Sequence, residues 1–268
     1  MEILITGGSG FVGTNLIQRL EKNHNLTFPS RKELDLTDRN QVDLFFEKRS
    51  FDVLIHCAVQ GGKSHLKDTS DVLYNNIHMF ANLMRNKQSF SRMIHFTSGY
   101  ELERPKNLHE SFPADYYGLS KNIISRICSE NDSVTNIRIF GLFGENEYEG
   151  RFIKRSVLNS ISGKPIEIFK NGYWDFIYIH DLVSCVVGVI DNPSLFPRHF
   201  DLVYEKKIKF SDAAEMIKKL TNSGVRTNIH EDEEFLPYLG DGVFINSIFP
   251  DFLGFEQGLR KMVAHFYK

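Results

Sequence analysis

In the first half of the chain, hydrophobic residues fall into short unbroken runs. Each run is followed by a polar turn and then by a segment whose apolar positions recur at helical spacing. Ile3-Leu4-Ile5, Val53-Leu54-Ile55 and Met93-Ile94-His95-Phe96 have the continuous apolar character of strands buried on both faces. Leu16, Ile17 and Leu20 line one side of a helix after the first run, and Val72, Leu73, Ile77, Phe80, Leu83 and Met84 do the same across 71–86. The Val53 run extends over 51–56, and the pattern predicts further strands near 25–28 and 134–140 and further helices near 39–48 and 117–129. Strands alternating with helices predict a doubly wound parallel sheet of the α/β class. After Gly141 the rhythm breaks, with turn signals at Gly144, Gly150, Gly163-Lys164-Pro165 and Asn171-Gly172. Helices are expected near 211–220 and 255–266, with strand-like pieces between them. The expected organisation is a main domain over 1–145 and a small α+β cap over 146–268, some of whose segments return to the main sheet.

Composition narrows the function. A formal net charge of -2 gives no overall electrostatic pull toward nucleic acid or a membrane surface. The longest apolar stretch, Val183 to Ile190, is far too short to span a bilayer and contains Ser184 and Gly188. No charged leader with an apolar core precedes the first strand, so a cytoplasmic protein is expected. The three cysteines, Cys57, Cys128 and Cys185, form no CxxC pair, and the ten histidines form no close HxH or HxxxH pair. Disulfides and a metal centre are therefore not expected. His56 and His95 read as packed or hydrogen-bonded core residues and Cys57 as a small apolar filler. Asp175 reads as a loop acceptor and Asp181 as a helix N-cap.

The first strand empties into Thr6-Gly7-Gly8-Ser9-Gly10-Phe11-Val12-Gly13, with glycines at three-residue intervals before an amphipathic helix. Glycine at these places permits a tight turn, close approach of backbone to a pyrophosphate, and close helix–strand packing. The following helix N-terminus offers unpaired N–H groups and a positive dipole end. A glycine triplet alone also occurs in ordinary turns; the strand before it and the helix after it favour a dinucleotide seat. The second strand ends Phe28-Pro29-Ser30-Arg31, with no carboxylate to accept a ribose 2′-hydroxyl. Arg31 suits a 2′-phosphate instead, which points to NADPH. Arg31 as a solvated loop residue would leave NADH as the alternative.

Tyr117 and Lys121 stand four apart in a predicted helix and so share a face. An ammonium beside a phenol favours the phenolate, which fits Tyr117 to exchange a proton. Phe96-Thr97-Ser98-Gly99 ends a predicted strand at the same sheet edge, where the Ser98 hydroxyl can hold a substrate oxygen. A packed tyrosine next to a surface lysine is the bland reading of YxxxK; the glycine turn in the same chain counts against it.

These residues together resemble the extended short-chain dehydrogenases/reductases, the NAD dependent epimerase/dehydratase family that acts on nucleotide sugars. Further matches are Asp35-Leu36-Thr37-Asp38, His56-Cys57-Ala58, Ile137-Arg138-Ile139-Phe140-Gly141-Leu142-Phe143-Gly144 and Asp175-Phe176-Ile177-Tyr178-Ile179-His180-Asp181. The resemblance implies a Rossmann sheet with Ser98, Tyr117 and Lys121 as the catalytic set. It implies a cofactor cleft made by Gly7, Ser9, Gly10, Phe11, Val12, Gly13, Arg31, Asp35, Leu36, Cys57, Ala58, Val59, Asn76, Tyr117 and Lys121. Within the family, Arg31 to Asp38 and Gln60-Gly61-Gly62 are similar to the GDP-fucose synthase branch, whose members reduce a 4-keto sugar nucleotide with NADPH.

Departures refine that expectation. Epimerising members add a cysteine two residues after the serine and a histidine beyond the Gly141–Gly144 block; here Tyr100 takes the first place and no histidine the second. Dehydratases carry Asp-Glu where this chain has Gly99-Tyr100. An arginine and an asparagine usual in the family are replaced by Trp174 and Gly141, while Arg151, Lys154 and Arg155 offer substitute cations or a solvated helix face. The sequence thus points to NADPH-dependent reduction of a 4-keto-6-deoxy sugar nucleotide in surface polysaccharide synthesis. A nucleotide-sugar 4-epimerase with bound NAD and a non-catalytic NADP-binding regulator are the alternatives. A homodimer through the Tyr117 helix is expected, with neither nucleic acid nor membrane as partner.

Overall fold

The computed structural model describes residues 1–62, 67–102, 112–235 and 239–267. The chain divides into two compact units: Met1–Arg138 with Val183–Phe200, and Ile139–Leu182 with Asp201–Lys268.

The first unit alternates as its sequence predicts. β1 (Glu2–Thr6) leads to α1 (Phe11–Leu20), β2 (Asn25–Thr27), α2 (Arg39–Phe46), β3 (Phe51–His56), α3 (Ser70–Arg85), β4 (Phe90–Ser98), α4 (Tyr116–Ser129) and β5 (Val134–Ile139). Asp38 caps α2 by accepting from the backbone N–H groups of Asn40 and Gln41. A six-stranded sheet has the order β2-β1-β3-β4-β5 followed by a late strand, His199–Asp201. β1 pairs in parallel with β2 and β3, and β3 with β4. The chain reverses its direction of travel across the sheet between β1 and β3, which makes the crevice at their carboxyl ends the place where such sheets bind ligands. Leu4, Leu54, Phe80, Leu83, Met93 and Ile124 belong to one buried cluster that glues α2, α3 and α4 to one sheet face.

The second unit contains β6 (Gly141–Phe143), α5 (Phe152–Ile161), β7 (Ile166–Trp174), β8 (Phe176–Tyr178) and the start of α6 (Ile179–Asp191). The strand His199–Asp201 is β9, and β10 (Ile208–Lys209), α7 (Phe210–Leu220), β11 (Thr227–Phe235), α8 (Val243–Ile248) and α9 (Gly254–Phe266) complete the chain. β7 is flanked by antiparallel β10 and parallel β11, while β6 pairs in parallel with β8. Much of the phenylalanine content packs here: Phe143, Phe176, Tyr178 and Phe255 form a run of ring contacts, and Phe152 and Phe210 join Phe176.

Among the described residues three helices, α5, α6 and the short α8, lie outside the spans that apolar spacing predicts. In α6 the buried residues Ile179, Leu182, Val183, Val186, Val189 and Ile190 do recur at helical spacing, but valine and Gly188 mask the helical tendency. In α5 the buried face carries Ser156 and Ser160 beside Ile153 and Val157, which breaks the apolar stripe. Among the described residues no helix is long and apolar enough to cross a membrane, and no cluster of potential ligands could hold a metal ion.

Candidate active site

The glycine turn lies at the reversal point. Gly7 has a φ of +70°, and a Cβ there would sit 2.6 Å from the Ala58 backbone nitrogen. A Cβ on Gly13 would sit 2.4 Å from the Gly7 carbonyl, so the first turn of α1 presses directly on the loop. A Cβ on Gly10 would meet only that same carbonyl, at 3.3 Å. The start of α1 has no side-chain cap and no acidic residue in its first turn. Its leading N–H groups therefore keep their capacity for an anion. The loop fits a dinucleotide pyrophosphate, which the amides around Ser9, Phe11 and Val12 would hold while the Gly10 amide closes the turn on Gly7 O at 3.0 Å.

The rim of this cleft follows from strand register. Gly8 lies against Phe28, since a Cβ on Gly8 would be 3.1 Å from the Phe28 Cβ, and this places 28–31 beside the turn. The Arg31 side chain is 71% exposed and its Nε lies 3.5 Å from Asp35 Oδ2. The Asp35 carboxylate accepts from the Thr37 amide at 2.9 Å and the Thr37 hydroxyl at 2.7 Å, and these bonds hold it below the usual carboxylate range. Leu36 is buried, its carbonyl accepting from Asn82. After β3, the Cys57 amide donates to Thr6 O, Ala58 lies under Gly7, and Val59 is exposed. Burial pushes the Cys57 thiol well above its ordinary value. Asn76 exchanges hydrogen bonds with the Gln60 backbone at 2.8 and 3.0 Å and donates to Ser120 Oγ at 3.0 Å. Its side chain thereby ties the Gln60 loop to α4.

α4 begins with Asp115 accepting from the Gly118 amide at 2.6 Å. One turn further Lys121 is only 6% exposed, and its Nζ donates to Phe96 O at 2.7 Å and lies 5.9 Å from the Tyr117 ring centroid. Burial lowers the Lys121 pKa to about 8, and the carboxylate of Glu101 opposes that fall. Gly62, with a φ of +70°, covers the phenol ring: a Cβ there would lie 2.8 Å from Tyr117 Cζ. Tyr100 meets Tyr117 edge to face with centroids 6.4 Å apart. Ser98 closes β4, 7% exposed, its Oγ accepting from the Tyr100 amide at 3.3 Å. The fold thus gathers the glycine turn, Ser98, Tyr117 and Lys121 at one edge of one unit.

Beneath them the histidines are neutral spacers. His56 Nδ1 shares a 2.7 Å hydrogen bond with Thr6 Oγ1, and His95 Nδ1 shares one of 2.7 Å with Asn136 Oδ1. Burial brings His56 down to about 3, and the Lys121 charge acts in the same direction.

Several second-unit residues differ from expectation. Lys154 is buried, with Nζ donating to Glu147 O at 2.9 Å, and Arg155 donates to Gly150 O at 3.4 Å and Glu167 O at 3.3 Å. Those two side chains therefore brace α5 through backbone carbonyls and form no solvated helix face; Arg151 stands at the N-cap of α5. Asp181 lies within the first turn of α6 and does not cap it. Its carboxylate accepts from the Leu253 and Gly254 amides at 3.0 and 3.1 Å and from the Tyr204 hydroxyl, so it anchors the start of α9. Asp175 is a loop acceptor, 2.8 Å from the Gly240 amide, and also pairs with Lys207 at 2.5 Å. Trp174 and Gly141 are one substitution in packing terms: a Cβ on Gly141 would fall 2.5 Å from the indole nitrogen.

Residues 3–202 match the NAD dependent epimerase/dehydratase family. The chain belongs to that family. Its members are NAD(P)-dependent oxidoreductases and epimerases, and this chain is an enzyme of that type. GDP-6-deoxy-D-talose 4-dehydrogenase of Aggregatibacter actinomycetemcomitans is 28% identical over 207 residues, 71% of this chain and 70% of that protein. The GDP-mannoheptose C4 reductase of Campylobacter jejuni, solved with NADP bound, superposes with a TM-score of 0.83 at 18% identity and covers 100% of this chain and 98% of that one. A GDP-L-fucose synthetase from Naegleria fowleri bound to NADP superposes with a TM-score of 0.76 at 19% identity, covering 99% and 92% of the two chains. Solved relatives hold NADP or NAD, and the relatives by sequence and by structure are nucleotide-sugar modifying enzymes.

The sequence reading overlooked Glu101, which is fully buried three residues after Ser98. Its partners Thr97, Ser125 and Arg138 meet it only through the fold, so no sequence spacing marks it.

Proposed function

We propose that this enzyme reduces a 4-keto-6-deoxy sugar nucleotide with NADPH, in the supply of sugars for surface polysaccharide. The observation that carries the reading is a phenol one helical turn from a buried ammonium, with a serine at the neighbouring strand end. Bound reduced nicotinamide supplies a hydride to the keto carbon. Tyr117 gives its proton to the carbonyl oxygen as that carbon becomes tetrahedral, and so completes the alcohol. Ser98 orients the oxygen by hydrogen bonding. Lys121 supports the phenolate left behind, because an ammonium so close favours the charged form. Gly62 lies flat on the ring and fixes its direction.

NADPH is favoured over NADH by Arg31 at the rim and by the absence of a carboxylate at the end of β2. The pairing of Arg31 with Asp35 favours the second reading, an epimerase that keeps NAD and recycles it. A cytoplasmic homodimer belongs to the same proposal; Tyr74 on α3 and Tyr116 and Ile127 on α4 are exposed and offer apolar surface for it. The test is a panel of GDP-, dTDP- and UDP-linked 4-keto sugars, with loss of reduced nicotinamide absorbance as readout and the product analysed by NMR. A reductase consumes one NADPH per 4-keto sugar; conversion of the matching 4-hydroxy sugar nucleotides into their 4-epimers, with no net change in nicotinamide, identifies the epimerase.

A further inference from the structure

We infer that Glu101 is a positioning residue whose buried carboxylate locks the Ser98 strand end to the Tyr117–Lys121 face of α4. The inference rests on the catalytic reading above and concerns what holds that arrangement in place.

Glu101 is 0% exposed and belongs to the short turn Gly99–Glu101 that follows Ser98. Its carboxylate reaches three elements at once. From β4 it accepts from the Thr97 hydroxyl, and from α4 it accepts from the Ser125 hydroxyl. From β5 it accepts from Arg138 Nε at 2.6 Å. Its own carbonyl accepts from Asn122 Nδ2 at 2.8 Å, and the Leu102 amide closes the turn on Gly99 O at 3.1 Å. Ser125 stands one turn beyond Lys121 and two beyond Tyr117, on the same helical face. Thr97 precedes Ser98 and points to the opposite side of the strand. The bonds through Thr97 and Ser125 therefore set the spacing between the serine and the tyrosine–lysine pair. Asn136 extends the network by donating to Ser125 Oγ at 2.9 Å while its own oxygen shares the His95 hydrogen bond.

Charge adds a second effect. Burial raises the Glu101 pKa and Arg138 opposes it. The carboxylate in turn favours the ammonium form of Lys121. The ionisable groups facing Glu101 are Arg138 from β5, His199 from β9 at 3.8 Å, and Lys121 and Cys128 from α4, with His95 of β4 linked through Asn136 and Ser125. Burial lowers His199 to about 4, so Arg138 is the principal counter-charge.

The experiment compares wild type with Glu101→Gln and with the double variant Glu101→Gln/Arg138→Gln, which removes both buried charges and so keeps a folded, neutral network available. Folding is checked by circular dichroism. In protein labelled with 13C-lysine, the Lys121 resonance, assigned by its loss in Lys121→Met, is titrated with pH without cofactor or substrate. Both Gln variants should move the Lys121 midpoint below its wild-type value of about 8. They should also lower kcat with a keto sugar by about tenfold to a hundredfold, with KM within about twofold of wild type. A folded variant with an unchanged midpoint and unchanged kcat overturns the inference. A wild type that reduces no keto sugar defeats the proposed reaction, while the titration still decides the role of Glu101.

Discussion

Lys121→Met separates what Lys121 does for chemistry from what it does to stability. An ammonium titrates at 10.5 in an unfolded chain and at about 8 in this site. At about 1.4 kcal/mol for each tenfold change in proton affinity, keeping it charged in the folded state opposes folding by about 3 kcal/mol. Methionine fills a similar volume without a charge but leaves Phe96 O without its donor, a loss of about 1–2 kcal/mol. The variant should therefore be more stable than wild type by about 1–2 kcal/mol at neutral pH. The pH dependence has a definite sign. The folded midpoint is depressed, so the penalty is present in full below about 8 and is relieved as pH rises from there toward 10.5. Wild type should gain on Lys121→Met through that window and lose its deficit by the end of it. Urea unfolding is followed by circular dichroism, which includes the helices of the first unit, because the single tryptophan, Trp174, lies in the second. Turnover should meanwhile drop by about 10²-fold or more. A variant less stable than wild type at neutral pH, with no relative gain by wild type on the alkaline side, would refute the burial argument.

Other substitutions test separate parts of the site. Arg31→Ala should weaken NADPH binding by about tenfold to a hundredfold in isothermal titration and leave NADH unchanged, and an equal effect on both would remove the 2′-phosphate role. Gly62→Ala puts a Cβ 2.8 Å from Tyr117 Cζ on a backbone with φ +70°, so kcat should fall by about tenfold with cofactor affinity kept. Wild-type turnover in that variant would show that the loop does not orient the phenol. Gly141→Asn forces a side chain against the Trp174 indole and should destabilise the second unit by about 1–3 kcal/mol, read from Trp174 fluorescence during unfolding. An unchanged midpoint would mean that the two positions are not coupled in packing.

What the sequence made legible is local. The glycine turn is marked by residues 7–13 even though Gly7 also packs on Ala58, and Tyr117 and Lys121 share a face because four residues make about one helical turn. Strand-sized apolar runs likewise mark β1, β3 and β4 without knowledge of their neighbours. Glu101 is of another kind: its partners at 97, 125 and 138 converge only after the sheet order is known, so no spacing announces it. Asp181 misled for the same reason, since its N-cap pattern is real but the amides it satisfies belong to a helix start seventy residues further on. Lys154 looked like a surface cation because chain position does not reveal that Glu147 O lies within reach. Gly141 and Trp174 each look like a lost family residue, yet in the fold each explains the other.

The most direct measurement is NADPH oxidation by wild type and Tyr117→Phe in the presence of a 4-keto-6-deoxy sugar nucleotide, with cofactor affinity measured alongside. The account predicts one NADPH oxidised per sugar reduced, and a rate lower by about 10²-fold or more in the phenylalanine variant at unchanged NADPH affinity. Full turnover by Tyr117→Phe would contradict the assignment of the proton donor.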